Sequence, residues 1–140
     1  MRSRRIVSLL AVAALATTMF VGCGSNEAKE SGLKNGTYKA ESEKDAKGYV
    51  ASIEIEVKDG KIATAKYAET SEDGVNKADN EEYSTKMKDK SGITPKEAYA
   101  TLEAALVEKQ DVAAVDTVTG ATSSAEKFKT LAEEALKSAK

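Results

Sequence analysis

Tyr49–Tyr67 reads YVASIEIEVKDGKIATAKY. Ile53, Ile55 and Val57 alternate with Ser52, Glu54, Glu56 and Lys58. Side chains of a strand point alternately to its two faces, so Tyr49–Val57 is predicted as a strand with one apolar and one charged face. Asp59-Gly60 follows, and glycine tolerates the positive φ that a tight hairpin turn needs. Ile62–Glu69 is the predicted return strand. Upstream, Thr37–Ser42 (TYKAES) is a shorter strand candidate. Three antiparallel strands with a single buried face are therefore expected, and a sheet of that kind needs a cover.

The downstream sequence supplies helices. Asn80–Asp89 is predicted as a short helix with Tyr83 and Met87 one turn apart, ended by Ser91-Gly92. Thr94-Pro95-Lys96-Glu97 is a helix start: a capping threonine, a proline suited to the first turn, and a glutamate where a capping box requires it. Ala98, Leu102, Ala105 and Leu106 form the apolar stripe of that helix, which is expected to run to about Gln110. Val112–Val118 (VAAVDTV) reads as a strand or extended segment. A last helix is expected from about Ser124, with Phe128, Leu131, Ala132, Ala135, Leu136 and Ala139 on one face, and Ser123 and Glu126 as a second capping box. The expected class is α+β: an antiparallel sheet with a β-hairpin and helices packed on one face.

The chain has 140 residues, enough for one domain. Its start lies outside that domain. Arg2, Arg4 and Arg5 precede an apolar run from Ile6 to Val21 interrupted only by Ser8, Thr17 and Thr18, and Gly22-Cys23 follows. A basic head, a short apolar run and a small residue describe a secretory signal peptide. The run is short of the ~20 residues of a spanning helix. Phe20-Val21-Gly22-Cys23 resembles a bacterial lipobox, departing at Phe20 where leucine is usual. Cys23 is the only cysteine, so it has no internal disulfide partner. Residues 1–22 are expected to be a lipoprotein signal peptide. Residues 23–35, polar from Gly24 to Asn35, are expected to be a flexible tether from a lipidated Cys23, and residues 36–140 the domain. The expected location is the outer face of the cell membrane, anchored to the lipid bilayer through Cys23.

Loss of residues 1–22 removes three arginines and no acid, leaving 18 basic against 23 acidic side chains, a balance of −5. That argues against nucleic acid as a partner, which requires a basic stripe. The chain contains no histidine, which excludes Ser-His-Asp and Cys-His nucleophiles and His/Cys zinc sites. Chemistry is therefore expected from a bound cofactor or not at all.

Asp116–Ser124 reads DTVTGATSS, with five hydroxyl residues among nine. It lies just before the last predicted helix, whose start offers free N–H groups and the positive end of the helix dipole to a phosphate. Gly120 permits a tight turn or close approach to a ligand, and Ala121 leaves space. The plainer alternative is that these serines and threonines cap the helix and that the glycine makes a turn. The two readings are compatible, with Ser123 capping and Thr122 carrying a ligand.

Asp116-Thr117-Val118-Thr119-Gly120-Ala121-Thr122 resembles the flavinylation motif of the FMN-binding domain family: Asp, two variable residues, Ser or Thr, Gly, Ala, then Thr or Ser. The family includes the C subunit of the sodium-pumping NADH:quinone reductase, the G subunit of the Rnf complex and small flavin-bearing lipoproteins. The resemblance implies that a transferase takes FMN from FAD and joins its phosphate to a motif hydroxyl. Thr122 is then the acceptor and Ser124 the second choice. Thr119, Gly120, Ala121 and Ser123 surround the phosphate, and Asp116 engages the transferase or its metal; as a plain residue, Asp116 is a turn acid. The hairpin and the stretches EEYSTKM and SGITPKEAY resemble the lipoprotein branch from about Gly36 to Leu136. Glu69 and Thr70 match a segment near the flavin in relatives, which often continues Pro-Gly where this chain has Ser71-Glu72.

The function implied is an extracytoplasmic electron carrier. It would take electrons from a membrane redox donor and pass them outward, with covalent FMN as its redox centre. Tyr49, Tyr83 and Met87 are candidates for packing on the flavin ring, or else for the core. Two rivals stand beside this reading: a lipoprotein that binds flavin or another phosphate ligand noncovalently, and a surface lipoprotein with no ligand.

Overall fold

The computed structural model describes residues 32–140. The expected signal peptide, Cys23 and most of the expected tether lie outside the described residues. Three strands, β1 (Gly36–Glu41), β2 (Tyr49–Lys58) and β3 (Lys61–Ser71), form an antiparallel sheet in the order β1-β2-β3. The β2–β3 turn is the predicted one: Asp59 and Gly60 both have positive φ, 53° and 74°. This is the turn geometry whose twist suits a two-residue hairpin.

The register contains a feature that alternation alone does not show. Glu56 pairs with Thr64 but Val57 pairs with Ile62, so Ala63 is an extra residue in β3. Ile62 and Ala65 are three apart and would face opposite sides of a regular strand. The bulge turns Ile62 inward, and Ile62, Ala65, Tyr67 and Glu69 are all buried.

Two helices cover this face: α2 (Pro95–Lys109) and α3 (Thr122–Lys137). A shorter helix, α1 (Glu81–Ser91), precedes them and has no buried residue. Ile53, Ile55 and Val57 of β2 meet Leu102 and Leu106 of α2 and Phe128 and Leu131 of α3 in one core. The fold is α+β, with the C-terminal helix directly after the hydroxyl-rich motif. The capping box of α2 forms as read: Thr94 Oγ1 accepts from the Glu97 amide at 3.2 Å, and the Thr94 amide donates to Glu97 Oε2 at 2.8 Å.

Helix α2 also closes the free edge of β3. The amides of Ile62 and Tyr67 donate to the side chains of Gln110 and Glu103, each at 2.7 Å, and Gln110 Nε2 donates back to the Ile62 carbonyl at 2.8 Å. Backbone groups on a sheet edge need partners, and here helix side chains take the place of a fourth strand.

Two local expectations are corrected. Val112–Val118, expected as a strand or extended segment, joins no sheet: Val112–Ala114 is a 3₁₀ turn, with the Asp111 side chain accepting from the Ala113 amide, and only beyond it, from Val115, is the backbone extended. Its buried anchors, Val112 and Val115, are three apart, a spacing that suits a turn and not a strand. The last helix starts at Thr122, not Ser124, and Ser123 and Glu126 form no capping box. Ala121 occupies the cap position, and among the described residues no side chain accepts from the first-turn amides.

Candidate functional site

A cleft of about 550 Å³ opens where α1, the start of α2, the first turn of α3 and the β1–β2 loop converge. Gly120, Ala121, Thr122, Ser123 and Ser124 form one wall, and Tyr83 and Met87 of α1 contribute to another. Lys47, Lys77, Lys86, Lys90 and Lys127 also line it, and Asp45 is the sole acid among the lining residues.

The geometry of the motif follows from Gly120. Its φ is +85°, and a Cβ there would stand 2.7 Å from Ser91 Cβ and 3.0 Å from the Ser91 carbonyl oxygen. The missing side chain lets the motif lie against Ser91 at the end of α1, so the close approach is to the protein itself. Ala121 is buried, its carbonyl accepts from Ala125 at 3.0 Å, and α3 begins. Because no side chain caps it, the amides of the first turn remain available at the cleft. Thr122 and Ser123 are exposed.

Ser124 is placed differently. Its hydroxyl donates to Glu69 Oε1 at 2.6 Å. Glu69 is fully buried, pairs with Lys77 Nζ, accepts from the Tyr67 hydroxyl at 3.0 Å and lies 3.7 Å from Lys127 Nζ. Burial pushes the Glu69 carboxyl upward, but the hydrogen bonds from Lys77 and Ser124 outweigh that and leave it lowered. Lys127 bridges to Asp45 at 2.6 Å. The Lys127 ammonium beside Asp45 holds its carboxyl well below the usual carboxylate range. Lys77 Nζ sits 4.6 Å and 5.0 Å from the ring centres of Tyr49 and Tyr83, within cation–π range. The Tyr99 hydroxyl, buried nearby, meets no partner at hydrogen-bond geometry among the described residues, and burial raises its pKa.

The structure thus brings Gly120 through Ser124 together at the cleft, with Glu69 behind them. Thr70 points to the sheet face opposite Glu69, and its strand partner is Val50. Thr119 is exposed and outside the cleft lining. Asp116 is outside it too, bonded to Lys109 at 2.9 Å, which lowers its pKa. Tyr83 and Met87 line the cleft; Tyr49 does not, but packs edge-on against Tyr83 at 6.4 Å. Sequence reading missed Asp45, Lys77 and Lys127. Lys127 carried a faint signal, a lysine beside Phe128 on the apolar stripe; Lys77, in a polar turn, carried none.

A cleft of this size, an uncapped helix start and a lysine rim suit a phosphate-bearing cofactor with a large planar ring. The sequence profile of the FMN-binding domain family matches residues 47–137. This chain belongs to the FMN-binding domain family. A 15 kDa lipoprotein of Treponema pallidum is 35% identical over 111 residues, covering 79% of each chain. A Clostridium perfringens protein of known crystal structure is 47% identical and superposes with a TM-score of 0.73, over 76% of this chain and 88% of that one. The residues at the cleft fit the family's cofactor. The amides and hydroxyls of Thr122 and Ser123 suit its phosphate, the lysines its charge, and Tyr83 and Met87 its ring.

Proposed function

We propose that the chain is a membrane-anchored flavoprotein electron carrier on the outer face of the cell membrane, with FMN joined through a phosphoester to Thr122. Residues 1–22 would be the lipoprotein signal peptide, Cys23 the acylated residue, residues 23–35 the tether and residues 36–140 the flavin domain. The lipobox supports the anchor, as does the likeness to a treponemal lipoprotein. The anchor explains why a covalent bond is useful: outside the cell a dissociated cofactor is lost, whereas a tethered one stays at the membrane surface.

The observation that carries the acceptor assignment is the contrast between two hydroxyls. Thr122 is exposed at the cleft and engaged by no side chain among the described residues, while Ser124 is committed to Glu69 at 2.6 Å. The attachment balances as a transfer from FAD, catalysed by a flavin transferase. A bond forms between Thr122 Oγ1 and the FMN phosphorus, the pyrophosphate linkage breaks, AMP leaves, and the hydroxyl proton passes to a base of the transferase. The first-turn amides of α3 and the lysine rim would hold the phosphate charge. Tyr83 and Met87 would cover the ring and exclude water. When bound, the isoalloxazine supplies one- or two-electron transfer. Asp116 and Thr119, outside the cleft, would be the residues by which a modifying enzyme grips the motif. The electrons would come from a membrane redox donor and leave to soluble acceptors or another flavoprotein.

Intact mass of the protein coexpressed with a flavin transferase tests this directly. A gain of one FMN less one water, mapped by fragmentation to Thr122 and absent from Thr122→Ala, is the expected result. Flavin that co-purifies but is released by denaturant would favour a noncovalent binding lipoprotein. A colourless, unmodified chain beside a transferase active on another substrate overturns the carrier.

A further inference from the structure

Lys77 is the one lysine of the cleft that is buried, its side chain only 7% exposed. Its counter-ion Glu69 is 1% exposed and does not line the cleft. The pair is therefore unequally placed: Lys77 borders the cleft, and Glu69 stands behind it on β3. Tyr49 and Tyr83 flank the ammonium and keep it from water. The other buried-side pair, Lys127–Asp45, presents both of its charges to the cleft, and Lys47, Lys86 and Lys90 act from the exposed rim. A buried ion pair gains little stability over an apolar pair of similar volume, so the fold alone gives weak reason for a lysine at this place.

We propose that the Glu69–Lys77 pair sets the reduction potential of the flavin in this cleft, with Lys77 raising it. The inference rests on the flavin reading above. Adding two electrons and one solvent proton to the ring leaves one extra negative charge on it. A cation nearer than its counter-ion stabilises that charge, and in a site of low effective dielectric the preference is not screened away. Glu69 acts in the opposite sense, from farther off.

The test is a mediated redox titration of the flavin-loaded full-length protein in detergent, comparing wild type with Lys77→Met, Lys77→Arg, Glu69→Gln and the double variant Glu69→Gln/Lys77→Met. Lys77→Met should lower the reduced-to-oxidised ratio at fixed ambient potential about tenfold, roughly 30 mV for a two-electron couple. Lys77→Arg should stay near wild type. Glu69→Gln should move the potential upward, and the double variant should fall between the singles. A merely structural role predicts that both singles shift the same way or not at all, and either result overturns the proposal. Should circular dichroism show that Glu69→Gln does not fold, the Lys77 variants decide: Lys77→Arg behaving like Lys77→Met overturns it. If wild type takes up no flavin, the flavin reading fails and this inference falls with it. If wild type loads and Lys77→Met keeps its potential, this inference alone fails.

Discussion

Two hydroxyls two residues apart illustrate how strongly a side chain's surroundings decide its use. Ser124 and Thr122 are equivalent in the sequence as hydroxyls before a helix. In the fold Ser124 is bound to a buried carboxylate and Thr122 faces the cleft. Gly120 is the residue that makes this arrangement compatible with the chain path. Gly120→Ala would force a Cβ to 2.7 Å from Ser91 at a φ of +85°, a double conflict of sterics and backbone. We expect a loss of about 1–3 kcal/mol, from the overpacking and positive-φ terms together. Urea unfolding measures it; Thr119→Ala, exposed and outside the cleft, is the control that should unfold like wild type. The glycine, alanine and threonine of the motif were legible as a motif. Which neighbour needed the glycine was not, because Ser91 is far away in the chain.

At the level of elements, the strands, the Asp-Gly turn and the α2 cap follow from local pattern, since period-2 alternation and a capping box are properties of neighbouring residues. The failures were equally local. Val112 and Val115 looked like strand residues, but a strand exists only through a partner, and β3 had already given its free edge to Glu103 and Gln110. Gln110 makes the larger contribution, meeting both the amide and the carbonyl of Ile62 from the αL position that ends α2. Gln110→Ala should cost about 1–3 kcal/mol, the range for stranding partly buried polar groups. Amide exchange at Ile62 should speed up more than at Ile55 in the sheet centre. Equal protection at Ile62 in wild type and variant would remove the edge-cover role. The start of α3 lies two residues before the expected one: Ala121, at φ −133° and ψ 36°, takes the cap position, and its carbonyl accepts the Ala125 amide at 3.0 Å.

Across the whole molecule, one partly buried ionic network ties together segments distant in sequence: Asp45 in the β1–β2 loop, Glu69 on β3, Lys77 before α1, and Ser124 and Lys127 on α3. Both carboxylates have lowered pKa values in the fold. A depressed folded pKa contributes stability above the unfolded value of about 4 and loses it as pH falls through the folded value. The folding free energy should therefore hold steady above about pH 5 and decline progressively below about pH 4. Asp45→Asn should be less stable at neutral pH and show a shallower acid decline. Burial opposes the charge on Lys127, but its bond to Asp45 prevails and raises its pKa. That contribution is present below the ordinary lysine value and is lost as pH rises through the higher folded one. Urea midpoints measured across pH check both limbs; an unchanged acid limb in Asp45→Asn would remove this pair from the account.

The residue order alone was sufficient for the α+β class, the hairpin, the helix stripes, the FMN-binding family and the hydroxyl motif, because each of these is written in spacings of a few residues. Tertiary structure alone decided that Ser124 is engaged and Thr122 free, that Gly120 packs on Ser91, that Ile62 turns inward through a bulge, and that Lys77 stands before Glu69 at the cleft. Those features depend on contacts between segments as many as 82 residues apart, as Asp45 and Lys127 are. The burial that gives a charge or a hydroxyl its character exists only once those segments have packed.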